Sequence, residues 1–290
     1  MEFTFTLPKE TKKQTIKELL EQEWLIPRKV KHFLRTRKNV LLNGEAAMFH
    51  QEVFPEDKIT LIFEDTDYDK PDIRLGRADW IQPLFEDEHL IIVNKPVGMK
   101  THPNQPDEDD TLLNHLAAYL EKNQEIPFVV HRLDKETSGA ILFAKNPVVL
   151  PILGRMLEKK EIHRLYEAQI NGHLPKPKLT INKSIGRDRH DRRKRIIDER
   201  RGQRALTHVT ELKQSKQTSW VECILDTGRT HQIRVHLLSI GKPIIGDPLY
   251  HPKGSNNQRL MLHAKSLNLI HPFTKEKIHV LATPFLSESY

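Results

Sequence analysis

The sequence is poor in the residues that staple or anchor a chain. A single cysteine, Cys223, stands among 290 residues, so no internal disulfide can form and a reducing compartment is expected. It lies in the alternating run from Trp220 to Leu225, where a small buried thiol is a better reading than a nucleophile. Nowhere do roughly 18 apolar residues follow one another, as a membrane span requires. The opening MEFTFTLPKETKK has no apolar signal-peptide core. A cytoplasmic location and no membrane partner are therefore expected. The chain also lacks the G-x-x-x-x-G-K-[ST] phosphate loop, the G-x-G-x-x-G fingerprint, the G-x-S-x-G elbow, H-E-x-x-H and C-x-x-C. The histidines are scattered, and the dense pair His231 and His236 has no carboxylate or thiolate at metal spacing. No metal site and no cofactor are expected.

What the chain does hold is positive charge in two places. Lys and Arg number 46 against 39 acids, a net charge of +7, and a basic surface of this kind favours a polyanion, of which nucleic acid is the commonest. The first concentration is Arg28, Lys29, Lys31, Arg35, Arg37 and Lys38. It follows a helical pattern at Ile16, Leu19, Leu20 and Trp24, and overlies a second helix opened by Pro27 with Val30, Phe33 and Leu34 as its apolar stripe. A strand at 40–42, the hairpin signal Asn43-Gly44 and a strand at 58–63 complete a small α/β unit. Taken alone, the charge run reads more readily as a solvated helix face than as a binding surface. The stretch IPRKVKHFLRTRKNVLLNGE, however, resembles the small RNA-binding module first described in a small-subunit ribosomal protein, over about residues 13–63. That resemblance implies RNA contacts from Arg28, Lys31, Arg35, Arg37 and Lys38.

Residues 64–80 are polar, with Pro71 and Gly76, and read as a linker. The expected division is a module at 1–65, a linker at 66–80 and a catalytic domain at 81–290, with removal of residues 1–70 leaving the rest folded. Beyond the linker, strand patterns fall at 90–93, 128–130, 140–144, 162–170, 206–212, 219–226, 260–269 and 278–282. Helical patterns fall after Asp110 or Thr111 and at about 147–159 and 231–240. Strands outnumber helices and many are joined by short connections, which predicts an α+β fold with a mainly antiparallel mixed sheet.

Two segments mix charge into apolar surroundings. HRLDKETSG, residues 131–139, sits between the apolar runs 128–130 and 140–143, so Asp134 is expected at the rim of the core where it needs a partner, and arginine suits best. On these grounds Asp134 is either a structural Asp–Arg pair or a catalytic carboxylate. LDTGRTHQIRVHLL places Arg229, Thr230, His231, Gln232, Arg234 and His236 beside apolar neighbours, as in an amphipathic helix lining a cleft or an exposed helix face. The second basic concentration, RDRHDRRKRIIDERRGQR at 187–204, reads equally as a flexible solvated insertion and as an RNA contact.

HRLDKETSG, GRTHQIRVHL and GDPLYH together resemble the RluA/RluD family of pseudouridine synthases. EDEHLIIVNKPVGMKTHP and MLHAKSLNLIHPFT resemble further family segments in the same order, so the likeness spans about residues 84–283. The resemblance implies a catalytic aspartate at Asp134, an active-site tyrosine at Tyr166 in IHRLYEAQING and its paired arginine at Arg234. Arg132 would displace or replace the target base, and His131, Arg229, His231 and Gln232 would contact substrate. Arg164 departs from the lysine more usual two residues before the tyrosine, with charge kept. The implied partner is structured RNA, above all large-subunit ribosomal RNA, bound by a monomer. Uridine isomerisation breaks N1–C1′ and joins C5 to C1′, by a covalent or an elimination route that the resemblance leaves open. A non-catalytic RNA chaperone and a carboxylate-dependent nucleoside hydrolase are the rival readings.

Overall fold

A computed structural model describes residues 1–252 and 258–283; positions 284–290, the end of the expected catalytic domain, lie outside the described residues. Its centre is a ten-stranded mixed sheet. The strands run across it in the order Lys178–Asn182, Leu206–Gln214, Thr218–Leu225, His163–Asn171, Leu262–Ile270, Ser138–Ala144, Leu90–Lys95 and Pro83–Glu86. Lys277–Leu281 pairs with Leu262–Ile270, and Phe128–Val129 with Ser138–Ala144. Among the described strands of this sheet, a parallel pairing joins Ser138 and Gly139 to His263 and Ala264, and the others are antiparallel. This is the expected α+β class with a mainly antiparallel sheet.

The central strands read as unbroken apolar runs because both faces are covered. Leu90, Ile92, Ala140, Leu142 and Ala144 enter one core, while Ile91, Val93, Ile141 and Phe143 enter the other. The helix Val149–Glu158 packs on the first face through Val149, Ile152, Leu153 and Met156. Helices Leu112–Leu120 and Gln232–Ser239 contribute Leu112, Leu116, Leu120, Ile233 and Leu237 to the second.

The first 63 residues build a four-stranded sheet, with Glu2–Thr6 and Val40–Leu42 flanking Lys58–Ile62. Asn43 and Gly44 both take positive φ, +53° and +88°, as the two-residue hairpin turn requires. The helix at Ile16–Glu18 widens into a π turn over Leu19–Glu23, and Pro27 precedes the second helix, Arg28–Thr36. The strand Glu2–Thr6 has no counterpart in the sequence reading. It carries Phe5 against Trp24 (4.6 Å between ring centroids), Phe273 (4.5 Å) and His89 (5.2 Å).

These contacts join the first 63 residues to the large sheet. The apolar core of residues 1–63 is continuous with the first face of the large sheet. Arg155 donates to the carbonyl oxygens of Gln22 and Glu23 across the same junction. Residues 64–80 are pinned as well. Asp67 is buried and accepts both hydrogen bonds from Arg37 Nη1, at 2.8 and 2.9 Å. Asn114 donates to Arg74 O (2.8 Å), and the Gly76 and Arg77 amides donate to Asn114 O and His115 Nδ1 (both 2.9 Å).

Two expectations narrow. The helix Gln232–Ser239 is not an exposed face: its residues 232–237 are all buried, and the side chains of Gln232, Arg234 and His236 are hydrogen-bonded. The basic segment 187–204 is no loose insertion. It forms a two-stranded hairpin, Ile185–Arg187 with Arg195–Ile197, tied down by the Arg195 amide donating to Tyr250 Oη at 2.8 Å.

Because Phe5 joins the two cores, Phe5→Ala is expected to cost about 3–5 kcal/mol in a single unfolding transition followed by denaturant titration. A loss below about 1 kcal/mol, or a separate early transition for the first 63 residues, would show that the junction is weak.

Candidate active site

Residues 131–137 bridge Phe128–Val129 and Ser138–Ala144 without regular structure, yet the loop is held from three sides. The Thr101 hydroxyl accepts from the Leu133 amide (3.1 Å) and donates to the Leu133 carbonyl (2.9 Å). Gly98 N donates to Lys135 O at 2.8 Å. Beneath it, the fully buried Lys95 donates to Met99 O (2.7 Å), Pro96 O (2.9 Å) and Lys135 O (3.2 Å). Burial pushes the Lys95 ammonium down to about 7, against the upward pull of Asp134 and Glu136. At the end of the loop, Gly139 has φ +114° and a Cβ there would lie 2.2 Å from Ala264 O, so only glycine lets the two strands meet.

Asp134 emerges from this loop with its side chain 17 % exposed and meets Arg234 Nη1 at 3.3 Å. Arg234 is 2 % exposed, and its principal partner is a second carboxylate. Its Nε and Nη2 each donate to one oxygen of Asp247 at 2.8 Å. Burial works against the guanidinium charge, but Asp247, Asp134 and Glu136 outweigh it and the pKa is raised. Burial likewise opposes the Asp247 carboxylate, and the Arg234 bonds with the Leu249 and Tyr250 amides bring its pKa below the ordinary value. Gly246 makes room for this turn: its φ is +71°, and a Cβ would lie 1.9 Å from Arg259 O.

Tyr250 extends the frame. Its ring lies 5.0 Å below the Arg234 guanidinium, and its hydroxyl is 2.8 Å from His231 Nδ1 while accepting from Arg195. With the hydroxyl proton free to go to Nδ1, the neutral imidazole carries its own proton on Nε2, which faces Asp134 Oδ2 at 3.8 Å. Burial keeps the His231 pKa low despite the nearby Asp134.

Asp134 and Arg234 line two adjoining hollows. One is a cleft of about 530 Å³ walled by Lys100, His102, Asn104, Arg132 and Glu136, with Arg193 from the basic hairpin and Leu249 opposite. The other, about 90 Å³, is closed by Tyr166, Arg164, Thr137, Gly228 and Arg229. Tyr166 is buried, which raises its hydroxyl pKa; Arg164 pulls it down and Asp134 adds to the rise. Asp134, Tyr166, Arg234, Arg132, Arg229 and His231 are thus gathered around one opening.

Other expected site residues are placed elsewhere. His131 turns its ring into the sheet, where Nε2 accepts from the Leu142 amide at 3.1 Å; burial, then the Arg164 charge, push its pKa down to about 3. Gln232 edges the smaller hollow but spends its amide holding the fold. It donates to Leu206 O and Thr207 Oγ1 and accepts from Thr227 Oγ1 and Arg229 N. On the second helix, Lys31 pairs with Glu21 (2.6 Å) and Arg37 with Asp67 and Glu64. Arg28, Arg35 and Lys38 are exposed, with no hydrogen bond or ion pair among the described residues. Lys95, Asp247, Tyr250 and Arg193 were not singled out from the sequence. Their signals were the lysine ending the apolar run LIIVNK, the motif GDPLYH that holds Asp247 and Tyr250, and the basic segment that holds Arg193.

A comparison with protein-family models matches residues 89–239 to the RNA pseudouridylate synthase family. Residues 3–59 match the RluD ribosomal pseudouridine synthase N-terminal domain. The chain belongs to the RNA pseudouridine synthases and is an isomerase of that family. Among its relatives, the uncharacterized RNA pseudouridine synthase YhcT of Bacillus subtilis is 40 % identical over 255 residues, covering 86 % of this chain and 82 % of that one. The ribosomal large subunit pseudouridine synthase D of Zymomonas mobilis is 34 % identical over 252 residues, covering 81 % and 79 %. The solved structure of human RNA Pseudouridylate Synthase Domain Containing 1 superposes with a TM-score of 0.59 at 27 % identity, over 73 % of this chain and 86 % of that one.

Removing Asp247 strands a buried guanidinium, so Asp247→Ala is expected to cost about 3–5 kcal/mol at neutral pH. The Asp247 pKa is lowered in the fold, so its contribution is full above the ordinary value of 3.8 and is lost as pH falls through the folded value. Denaturant titrations of wild type and variant should therefore converge in acid; a gap that stays constant to pH about 2 would contradict this origin.

Proposed function

We propose that the cleft isomerises one or more uridines of large-subunit ribosomal RNA, with Asp134 as the catalytic carboxylate. One observation carries the reading. Asp134 stands at the open edge of the cleft on a guanidinium whose other donors are already taken by Asp247, so it is fixed in place while remaining accessible.

In the reaction the N1–C1′ bond breaks, the uracil turns over, and C5 joins C1′. Positive character grows at C1′, and a carboxylate there stabilises it or attacks it. Arg234 orients Asp134, and His231 offers Nε2–H to the same oxygen. Tyr166 closes the smaller hollow, where its ring can pack on the uracil and its hydroxyl can reach a transferred proton. Only protons are exchanged with the surroundings: one leaves C5 and one joins N1.

A uridine in folded RNA must leave its stack to enter the cleft, at a cost of a few kcal/mol. Arg132 has no hydrogen-bond or ion-pair partner for its side chain among the described residues and lies at the rim, where it can occupy the space the base vacates. Arg193 of the basic hairpin lines the opposite wall, and Asp191 holds its guanidinium by two hydrogen bonds of 3.0 and 2.8 Å. Arg28, Arg35 and Lys38 belong to a unit fixed to the other sheet face, so they would grip a different part of the RNA. The large-subunit target follows from the relatives named for that subunit, such as the Zymomonas mobilis protein.

The test is tritium release from ribosomal RNA labelled at uridine C5. Asp134→Asn is expected to cut the rate by on the order of 10³-fold or more, with filter-binding affinity for the same RNA little changed. Turnover near wild type would overturn the assignment of Asp134, and free uracil among the wild-type products would overturn isomerisation.

A further inference from the structure

The strand His163–Asn171 sends a second cation into the smaller hollow. Arg164 and Tyr166 lie two residues apart and both line it, together with Asp134 and Arg132. Arg164 is partly buried, its Nε is enclosed without a partner, and among the described residues it makes no hydrogen bond or ion pair. Its guanidinium lies beside Gly228, where a Cβ would stand 3.5 Å from both terminal nitrogens. Arg234 has Asp247 and Asp134, Arg37 has Asp67 and Glu64, and Arg259, which has no carboxylate, still donates to Ser138 Oγ and Leu260 O; Arg164 has no such acceptor among the described residues. A desolvated guanidinium without an anion is costly. Its partner has to come from what enters the hollow.

The chemistry supplies such a partner for an instant. When N1–C1′ breaks, both bonding electrons leave with N1, and the uracil becomes an anion whose charge spreads over N1, O2 and O4. The sugar is left with the complementary charge at C1′, held by Asp134 or discharged by loss of the C2′ proton, which is put back on C2′ when C5 bonds to C1′. The base pair of electrons is given back when C5 bonds to C1′, the C5 proton leaves, and N1 takes up a proton. On either route the departing uracil is anionic. We propose that Arg164 is a catalytic residue that stabilises the departing uracil anion, donating to a uracil carbonyl oxygen as its negative charge grows. This rests on the reading of the cleft as the uridine-isomerising site. A donor whose bond strengthens as charge develops accelerates the step instead of merely tightening binding.

The experiment uses the full chain and a large-subunit ribosomal RNA transcript under single turnover, with Arg164→Met and Arg164→Lys. Arg164→Met is expected to lower the saturated rate by about 10²–10³-fold, while RNA affinity and its salt dependence stay as in wild type. Arg164→Lys keeps the charge and is expected to restore most of the rate. Because Arg164→Met removes a partly buried charge that has no ion pair among the described residues, its melting temperature should equal or exceed that of wild type, the opposite of a structural role. A transcript carrying 5-fluorouridine gives a better leaving base, so the Met deficit should narrow when loss of the N-linked nucleoside is followed after digestion. If Arg164→Met leaves the saturated rate intact but weakens binding and reduces the salt slope by about 1, Arg164 is a phosphate contact and the proposal is wrong. A lowered melting temperature with a rate loss that Lys does not restore also overturns it. If wild type forms no pseudouridine in any transcript, the underlying reading fails first, and this one with it.

Discussion

Arg234 is 2 % exposed, and a guanidinium so enclosed has to be met by anions. Asp247 satisfies Nε and Nη2, which leaves Nη1 directed at Asp134. That single arrangement binds the helix Gln232–Ser239, the turn at 246–250 and the loop at 131–137 into one rigid block. Tyr250 carries the connection on to His231 and to the basic hairpin through Arg195. An isolated Asp134 on a free loop would have no defined position; here its carboxylate is located by a network whose other members are buried.

The same logic sorts the cations of the whole chain. Several that hold the fold are matched by carboxylates, Arg234 by Asp247, Arg37 by Asp67, and Lys145 by Glu86 and Glu125, while Lys95 is held by three carbonyl oxygens. Among the described residues the side chains of Arg28, Arg35, Lys38, Arg132 and Arg164 make no hydrogen bond or ion pair, which leaves them among the cations available to a polyanion. Net charge alone does not make this distinction, because structural and available cations count equally in it. The large sheet separates the two groups further. The first 63 residues are fixed on one face through Phe5, Trp24 and Phe273, and the cleft is built on the other, so an RNA gripped at both places is held across the body of the protein.

Much of the secondary structure was legible because its signals are local. The Asn43-Gly44 turn, the Thr111 cap and the apolar runs of the central strands each depend on neighbours a few residues away. Asp134, Tyr166 and Arg234 were legible as a set only through the family resemblance, since nothing local joins positions 134 and 234. Partnerships of that range explain what was not legible too. The helix at Gln232–Ser239 could be read as an exposed face because Gln232, Arg234 and His236 are polar, and their distant partners Leu206, Asp247 and Thr207 make it a buried helix instead. Arg37 and Lys31, in the same basic run as Arg28, Arg35 and Lys38, differ from them in having carboxylate partners, Asp67 and Glu21, that no local pattern reveals. The strand Glu2–Thr6 is short, and what makes it a strand is its pairing with Lys58–Ile62, more than fifty residues away.

The most direct test is carbodiimide mapping of pseudouridine in ribosomal RNA from cells lacking this protein, complemented with wild type or with Asp134→Asn. The account predicts that one or a few modified uridines of the large-subunit RNA disappear and that only wild type restores them. Restoration by Asp134→Asn, or a map unchanged by loss of the protein, would contradict it.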